Sequence, residues 1–252
     1  MSLLIKVIIL AILQGLTEFL PVSSSGHLVL FQDLFNIKEN PVILDLFLHA
    51  GTLLAVFFFF FNDLKELTLN FYKKDNLRYI SYIILGSIPT AIIGFVFKED
   101  FESMFSKSDF IVSTFLITAS LLIMSRFIRI KKVNIYLAVI IIGIFQGLAI
   151  VPGLSRSGLT ISIALILSLG FEFSFKFSFL LSIPAIIGAI GLEILTKDLA
   201  LINLPVYLIG LTIAFIIGLF ALKILKRILL KERFYMFSYY LIGISILILL
   251  LR

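Results

Sequence analysis

The sequence predicts an all-α polytopic membrane protein built as an inverted-topology repeat, each half one re-entrant helix pair followed by three transmembrane helices. Three observations carry that expectation. Hydrophobic residues make up 61% of the 252 residues and charged residues only 14%, and mean hydropathy is +1.17. No water-soluble fold of this length hides so much apolar surface. Two apolar stretches, 3–30 and 133–171, are interrupted midway by proline, glycine, serine and charge. Broken backbone at membrane depth is tolerated only where protein or a watery cavity satisfies it, so both read as re-entrant pairs. Finally, the two interruptions carry the same residues in the same order.

Taken in order, the chain opens with MSLLIKVIILAILQG, a lysine followed by an apolar run. No small-residue cleavage site precedes the polar stretch that follows, so this segment is expected to be a retained helix rather than a leader. Apolar runs at 42–61, 79–97 and 110–125 supply three spans of the first half. After the second interrupted stretch, runs at 177–196, 201–222 and 234–251 supply three more. Spanning takes about 20 such residues, which most of these reach and a few narrowly miss. The expected organisation is a single membrane domain over 1–252, with repeats at 1–130 and 131–252.

Charge sets the orientation. Lys65, Lys73, Lys74 and Arg78 lie in one connection, Arg126, Arg129, Lys131 and Lys132 in a second, and Lys223, Lys226, Arg227, Lys231 and Arg233 in a third. These are expected on the cytoplasmic side. Segment 98–109, with Glu99, Asp100, Glu102 and Asp109, falls outside with 197–203. The net charge of +6 is thus spent on orientation and argues against nucleic acid as a partner. Cysteine is absent, which excludes disulfides and thiolate chemistry. Tryptophan is absent too, so an interfacial belt falls to Tyr79, Tyr82, Tyr235, Tyr239 and Tyr240.

Without a gap, QGLTEFLPVSSSGHL from Gln14 lies over QGLAIVPGLSRSGLT from Gln146. Gln14, Gly15, Leu16, Ser23, Ser25 and Gly26 match Gln146, Gly147, Leu148, Ser155, Ser157 and Gly158, and the prolines, Pro21 and Pro152, are one place out of register. A lipid-facing helix does not draw Gln, Gly and Ser at random. An inverted repeat predicts a site where the two broken segments meet near the midplane.

The chemistry at the breaks points to phosphate. Gln14 and Glu18, one helical turn apart, share a face and can grip a hard divalent cation, Mg2+ or Ca2+, through oxygen. Ser23, Ser24, Ser25 and Gly26 offer hydroxyls and N–H groups suited to phosphate oxygens, and a plain serine-capped helix start is the alternative. His27 stands three residues from Ser24, near enough to handle a proton. Its only counterpart, His49, is expected to pack or pair near Asp45. Arg156 has no loop to snorkel into; its planar fork suits a phosphate, or Glu18 in the resting protein. Ser155, Ser157 and Gly158 repeat the donor-rich turn around it. Glu172, Lys176 and Glu193 read as boundary charges. The expected reaction is phosphoanhydride or phosphoester hydrolysis on a lipid head, with a serine or water attacking.

The motifs QGLTEFLPVSSSGHL and PGLSRSGLT resemble the two signatures of the undecaprenyl-diphosphatase family, also called bacitracin-resistance proteins. The likeness extends through HAGTLLAV from His49, GSIPTAIIG from Gly86 and FSFLLSIPAIIGA from Phe177. It implies hydrolysis of the terminal phosphate of a polyprenyl diphosphate, recycling the lipid carrier for cell-wall synthesis from a site open to the external side of the cell membrane. By position it makes Gln14 and Glu18 metal ligands, Ser24 the proposed nucleophile, His27 an essential histidine and Arg156 the phosphate-binding arginine. Gln14 departs from the glutamate many members carry, lowering local negative charge. Ser24, His27 and a metal-bound water remain alternative nucleophiles. A homo-oligomer is left open. A polyprenyl-phosphate flippase using the same site is the rival reading. The acid-phosphatase-like lipid phosphatases are disfavoured, because Ser162 stands where they place a histidine.

Overall fold

The structure, a computed structural model, describes residues 2–35, 41–97, 110–196 and 203–250. The acidic segment 98–109 and residues 197–202, both expected on the external side, lie outside the described residues. Among the described residues every regular element is helical. The first half holds α1 (Leu3–Thr17), α2 (Ser24–Leu34), α3 (Pro41–Phe59), α4 (Phe61–Leu69), α5 (Lys74–Val96) and α6 (Ile111–Phe127). The second holds α7 (Ile135–Leu148), α8 (Arg156–Ile166), α9 (Phe171–Thr196), α10 (Leu204–Leu230) and, after a 3-10 turn at Phe234–Met236, α11 (Phe237–Leu250).

Four of these are long and apolar enough to cross a bilayer, at Val42–Phe59, Lys74–Val96, Phe171–Leu195 and Leu204–Leu230. The chain is a multi-pass membrane protein. Its outer surface is what lipid demands, with Phe58 67%, Phe95 79% and Leu195 85% exposed.

Each half contains a broken pair and then three apolar helices, with α4 as an addition the apolar pattern did not announce. Phe60 ends α3, and the amphipathic FNDLKELTL continues as a short separate helix. α10 runs to Leu230, through Lys223, Lys226 and Arg227, where a connection was expected. Lys and Arg are good helix formers, and cations are favoured at a helix C-terminus, so charge did not stop the helix. α9 likewise begins at Phe171, ahead of the apolar run, and places Lys176 2.5 Å from Asp63.

The broken helices pack on the opposite half. Val7 lies against Gly210, and a Cβ on Gly15 would come within 2.8 Å of Ile217 Cβ, so α1 runs parallel to α10. The mate of Gly15, Gly147, meets Ile93 Cδ1 at the same 2.8 Å, and α7 runs parallel to α5. The glycine after each glutamine is therefore a contact point where only a hydrogen fits. Phenylalanines fill the centre: Phe19, Phe60, Phe175 and Phe179 form an edge-packed cluster, with Phe19 and Phe179 rings 5.6 Å apart. Tyr82, expected in the interfacial belt, is instead buried against Phe173 and Tyr136, because helix–helix packing covers that face of α5.

Candidate active site

Two turns, one from each broken pair, face each other in the protein interior. The first follows α1: Glu18 takes the cap position, its N–H still bonded to Gln14 O at 2.9 Å. Ser23 then starts α2, its Oγ accepting the Gly26 N–H at 3.2 Å. In the second turn Ser155 Oγ accepts the Gly158 N–H at 3.1 Å. The pairing of hydroxyls repeats too, with 3.3 Å between Ser23 and Ser25 and 3.3 Å between Ser155 and Ser157. Ser23 and Ser155 thus serve as N-caps, each satisfying one N–H, while the remaining first N–H groups of α2 and α8 have no intrahelical acceptor.

The turns differ in one respect. In the second, Gly153 takes the left-handed backbone at φ 87°, whereas the first puts the comparable strain on Ser23 at φ 69°. A non-glycine residue held there costs about 1–3 kcal/mol and persists only where its surroundings over-determine it. His27 supplies part of that restraint, its Nδ1 donating to the Ser23 carbonyl at 2.7 Å.

The tips are in contact. Arg156 Nη2 donates to Glu18 Oε1 at 2.6 Å, Gly153 N–H to Ser25 Oγ at 3.3 Å, and Ser157 Oγ to Leu20 O at 3.4 Å. Thr118 of α6 steadies the second tip by accepting the Ser155 N–H at 3.2 Å. Glu18 is the hub: its Oε2 accepts from Ser24 Oγ at 2.7 Å and from Gln14 Nε2 at 3.2 Å. With side-chain exposures of 8% and 15%, the Glu18–Arg156 ion pair is shielded from water. Phe179 lies beneath the guanidinium, 5.9 Å from Cζ to ring centre.

Two buried atoms here have no protein partner, Arg156 Nη1 and Gln14 Oε1. One is a cationic donor and the other a neutral acceptor, so their chemistry suits an anion at Arg156 and a cation at Gln14. Among the described residues no group of three or more His, Cys, Asp or Glu is set to hold a metal. The oxygens available are those of the Gln14 and Glu18 pair, a hard-donor set that suits Mg2+ or Ca2+ completed by water and substrate oxygens.

His27 is not hydrogen-bonded to Ser24; that place is held by Glu18. A carbonyl only accepts, so the 2.7 Å contact to Ser23 O puts the ring proton on Nδ1. Nε2 of the neutral ring then accepts from the Tyr240 hydroxyl, also at 2.7 Å. The imidazole is stacked between Phe115 and Tyr240, with centroids 5.4 and 5.8 Å away.

Two residues join the site that sequence reasoning had placed elsewhere. His49, expected to pack or pair near Asp45, donates from Nδ1 to the Asp45 backbone carbonyl at 2.8 Å, and its Nε2 turns to Glu18 Oε2 at 3.8 Å. The Asp45 carboxylate is taken by Gln32 Nε2 at 2.6 Å. Tyr240, expected at the membrane interface, faces His27. The scarcity of histidine was the one signal for His49, and nothing near Tyr240 in sequence marks it. Gln146, the mate of Gln14, is bonded to Thr90 and Leu181 at 3.3 and 3.2 Å and stays outside the site.

The family described as Bacitracin resistance protein BacA matches residues 7–247. A curated relative named undecaprenyl-diphosphatase from Carboxydothermus hydrogenoformans is 42% identical over 255 residues, covering 97% of this chain and 96% of its own. Relatives of the same name from Halothermothrix orenii and Korarchaeum cryptofilum are 40% and 38% identical, each covering 97% of this chain and 97% and 98% of their own. With both broken motifs, the spans between them and nearly the full length matched, the chain belongs to the bacitracin resistance protein BacA family.

Proposed function

We propose that the chain hydrolyses the terminal phosphate of undecaprenyl diphosphate, giving the monophosphate carrier used in cell-wall polymer synthesis, with Ser24 as nucleophile and Glu18 as its base. The name its relatives share supports the reaction. The observation that carries the residue assignment is the 2.7 Å hydrogen bond from Ser24 Oγ to Glu18 Oε2, beside an unpartnered Arg156 Nη1. A carboxylate accepting a serine proton next to a buried guanidinium is the geometry of an activated nucleophile facing an anion.

The residues then divide the work. Arg156 and the free N–H groups at the starts of α2 and α8 grip the terminal phosphoryl oxygens. Ser24 Oγ bonds to phosphorus as the bond to the bridging oxygen breaks, and the serine proton passes to Glu18. The polyprenyl monophosphate leaves, and water cleaves the phosphoserine to release inorganic phosphate. His27 acts on the turn, holding the strained Ser23 carbonyl while Tyr240 fixes its ring. Gln14 and Glu18 would hold a divalent cation, which when bound supplies charge neutralisation for the phosphoryl oxygens.

An inverted repeat of 1–130 and 131–252, each with one re-entrant pair, accounts for the exchange of partners between halves. Its support is the parallel packing of α1 on α10 and of α7 on α5, with glycines Gly15 and Gly147 as equivalent contacts. External access is supported by the polar trail from Glu18 through His49 to Asp45 and Gln32, which runs away from the lysine- and arginine-rich connections. A flippase would need no Ser24–Glu18 hydrogen bond. Release of inorganic phosphate from undecaprenyl diphosphate by purified protein, sensitive to chelator, tests the proposal; lipid exchange without phosphate release would overturn it.

A further inference from the structure

The C-terminal end of α8 lies about 15 Å along the helix from Arg156. There the C-termini of α6, α8 and α10 converge on a cleft of about 370 Å3 that has no part in the site described above. Its charged lining is Arg126, Arg129, Lys231 and Arg233 against one carboxylate, Glu232. The neighbouring backbone is fixed. Ile130 N–H bonds the last carbonyl of α8, Ile166 O, at 2.6 Å, and Glu232 turns the chain through the left-handed region at φ 57°.

A plain explanation is that these cations only cap helices and orient the chain in the bilayer. Arg129 fits it, donating to the carbonyls of Ser125 and Ile128 at the end of α6. The others do not. Arg126 sits over the Tyr235 ring, 4.1 Å from Cζ to ring centre, and among the described residues none of the four cations is paired with a carboxylate. Two other cations on this face have a carboxylate each, Lys73 with Glu66 at 2.9 Å and Lys176 with Asp63 at 2.5 Å, whereas the four gathered at this cleft share Glu232 alone. Four cations and one carboxylate leave three positive charges, and three helix C-termini offset only about half of that. The remainder matches one phosphate.

The rim says which kind of phosphate. Phe127, next to Arg126, is 72% exposed, and Leu230, next to Lys231, is 50% exposed. Both are exposed apolar side chains at helix ends, adjacent in sequence to cations that line the cleft. A polar, cationic cleft opening beside exposed apolar side chains on the positively charged face suits a headgroup with its tails alongside.

We propose that this cleft is a second lipid site, binding the phosphate of an anionic phospholipid headgroup between α6, α8 and the turn after α10. Arg126 and Arg233 grip the phosphate, and occupancy braces the end of the helix whose other end carries Arg156.

The test is native mass spectrometry of delipidated full-length protein titrated separately with phosphatidylglycerol, phosphatidylcholine and inorganic phosphate. The wild-type protein should retain phosphatidylglycerol about tenfold or more over phosphatidylcholine. The R126Q/R233Q variant should lose that preference, and Arg156→Ala should keep it, which separates this cleft from the interior site. Arg126→Lys, which keeps the charge and the fold, should weaken retention less than the double variant. Equal retention of the two lipids by the wild type, or an unchanged preference in R126Q/R233Q, would overturn the proposal. Retention of inorganic phosphate without phosphatidylglycerol would overturn the lipid as its source.

Discussion

Glu18 serves four partners with two oxygens, Arg156, Ser24, Gln14 and His49, so its substitutions separate chemistry from stability. Glu18→Gln keeps the shape and should cut phosphate release at least about 100-fold, because an amide cannot take the Ser24 proton. Arg156→Ala should abolish release and also lower stability by about 3–5 kcal/mol, since it strands a shielded carboxylate. Thermal unfolding of the purified protein reads that second effect. Tyr240→Phe removes one hydrogen bond to His27 and should cost about 0.5–1.5 kcal/mol of stability with a modest fall in turnover. A loss as deep as that of Ser24→Ala would instead make the tyrosine hydroxyl part of the chemistry. At this scale the chain read well where a residue had no bland explanation. An arginine inside an apolar hairpin needs an anion or a carboxylate, and Arg156 found Glu18. Where local spacing was the only guide it misled: His27 is three residues from Ser24, yet helix geometry aims its ring back at Ser23 and outward to Tyr240.

At the scale of elements, the serine turns do two jobs. Ser23 and Ser155 cap helices by taking one N–H each, and the N–H groups ahead of those stay without an intrahelical acceptor. Ser155→Ala should lose about 1 kcal/mol of stability from the cap. Ser23→Gly relieves the left-handed strain as it removes the cap, so its stability change should be smaller than that of Ser155→Ala; the two compared in one unfolding assay check this. The broken pairs were legible because proline and serine interrupt apolar runs. The extents of α9 and α10 were not, because charge ends a hydropathy run without ending a helix.

Across the whole molecule, each half completes the other: α10 shelters α1, α5 shelters α7, and Tyr240 and Thr118 reach across to the tips. The repeated motif foretold that the two tips would share one place, since two segments carrying the same polar residues inside an apolar chain are best satisfied by each other. It could not foretell the cross-half partners, because those sit on helices whose own sequence is only apolar. The absence of native cysteine makes the contact between tips directly testable. In a Leu20→Cys/Ser157→Cys chain, oxidation in native membranes should join the two positions, where Ser157 Oγ now lies 3.4 Å from Leu20 O. Phosphate release from undecaprenyl diphosphate should fall on oxidation and return with reductant. A pair that never bridges, or that bridges while turnover continues unchanged, would contradict a single phosphate site built from both tips.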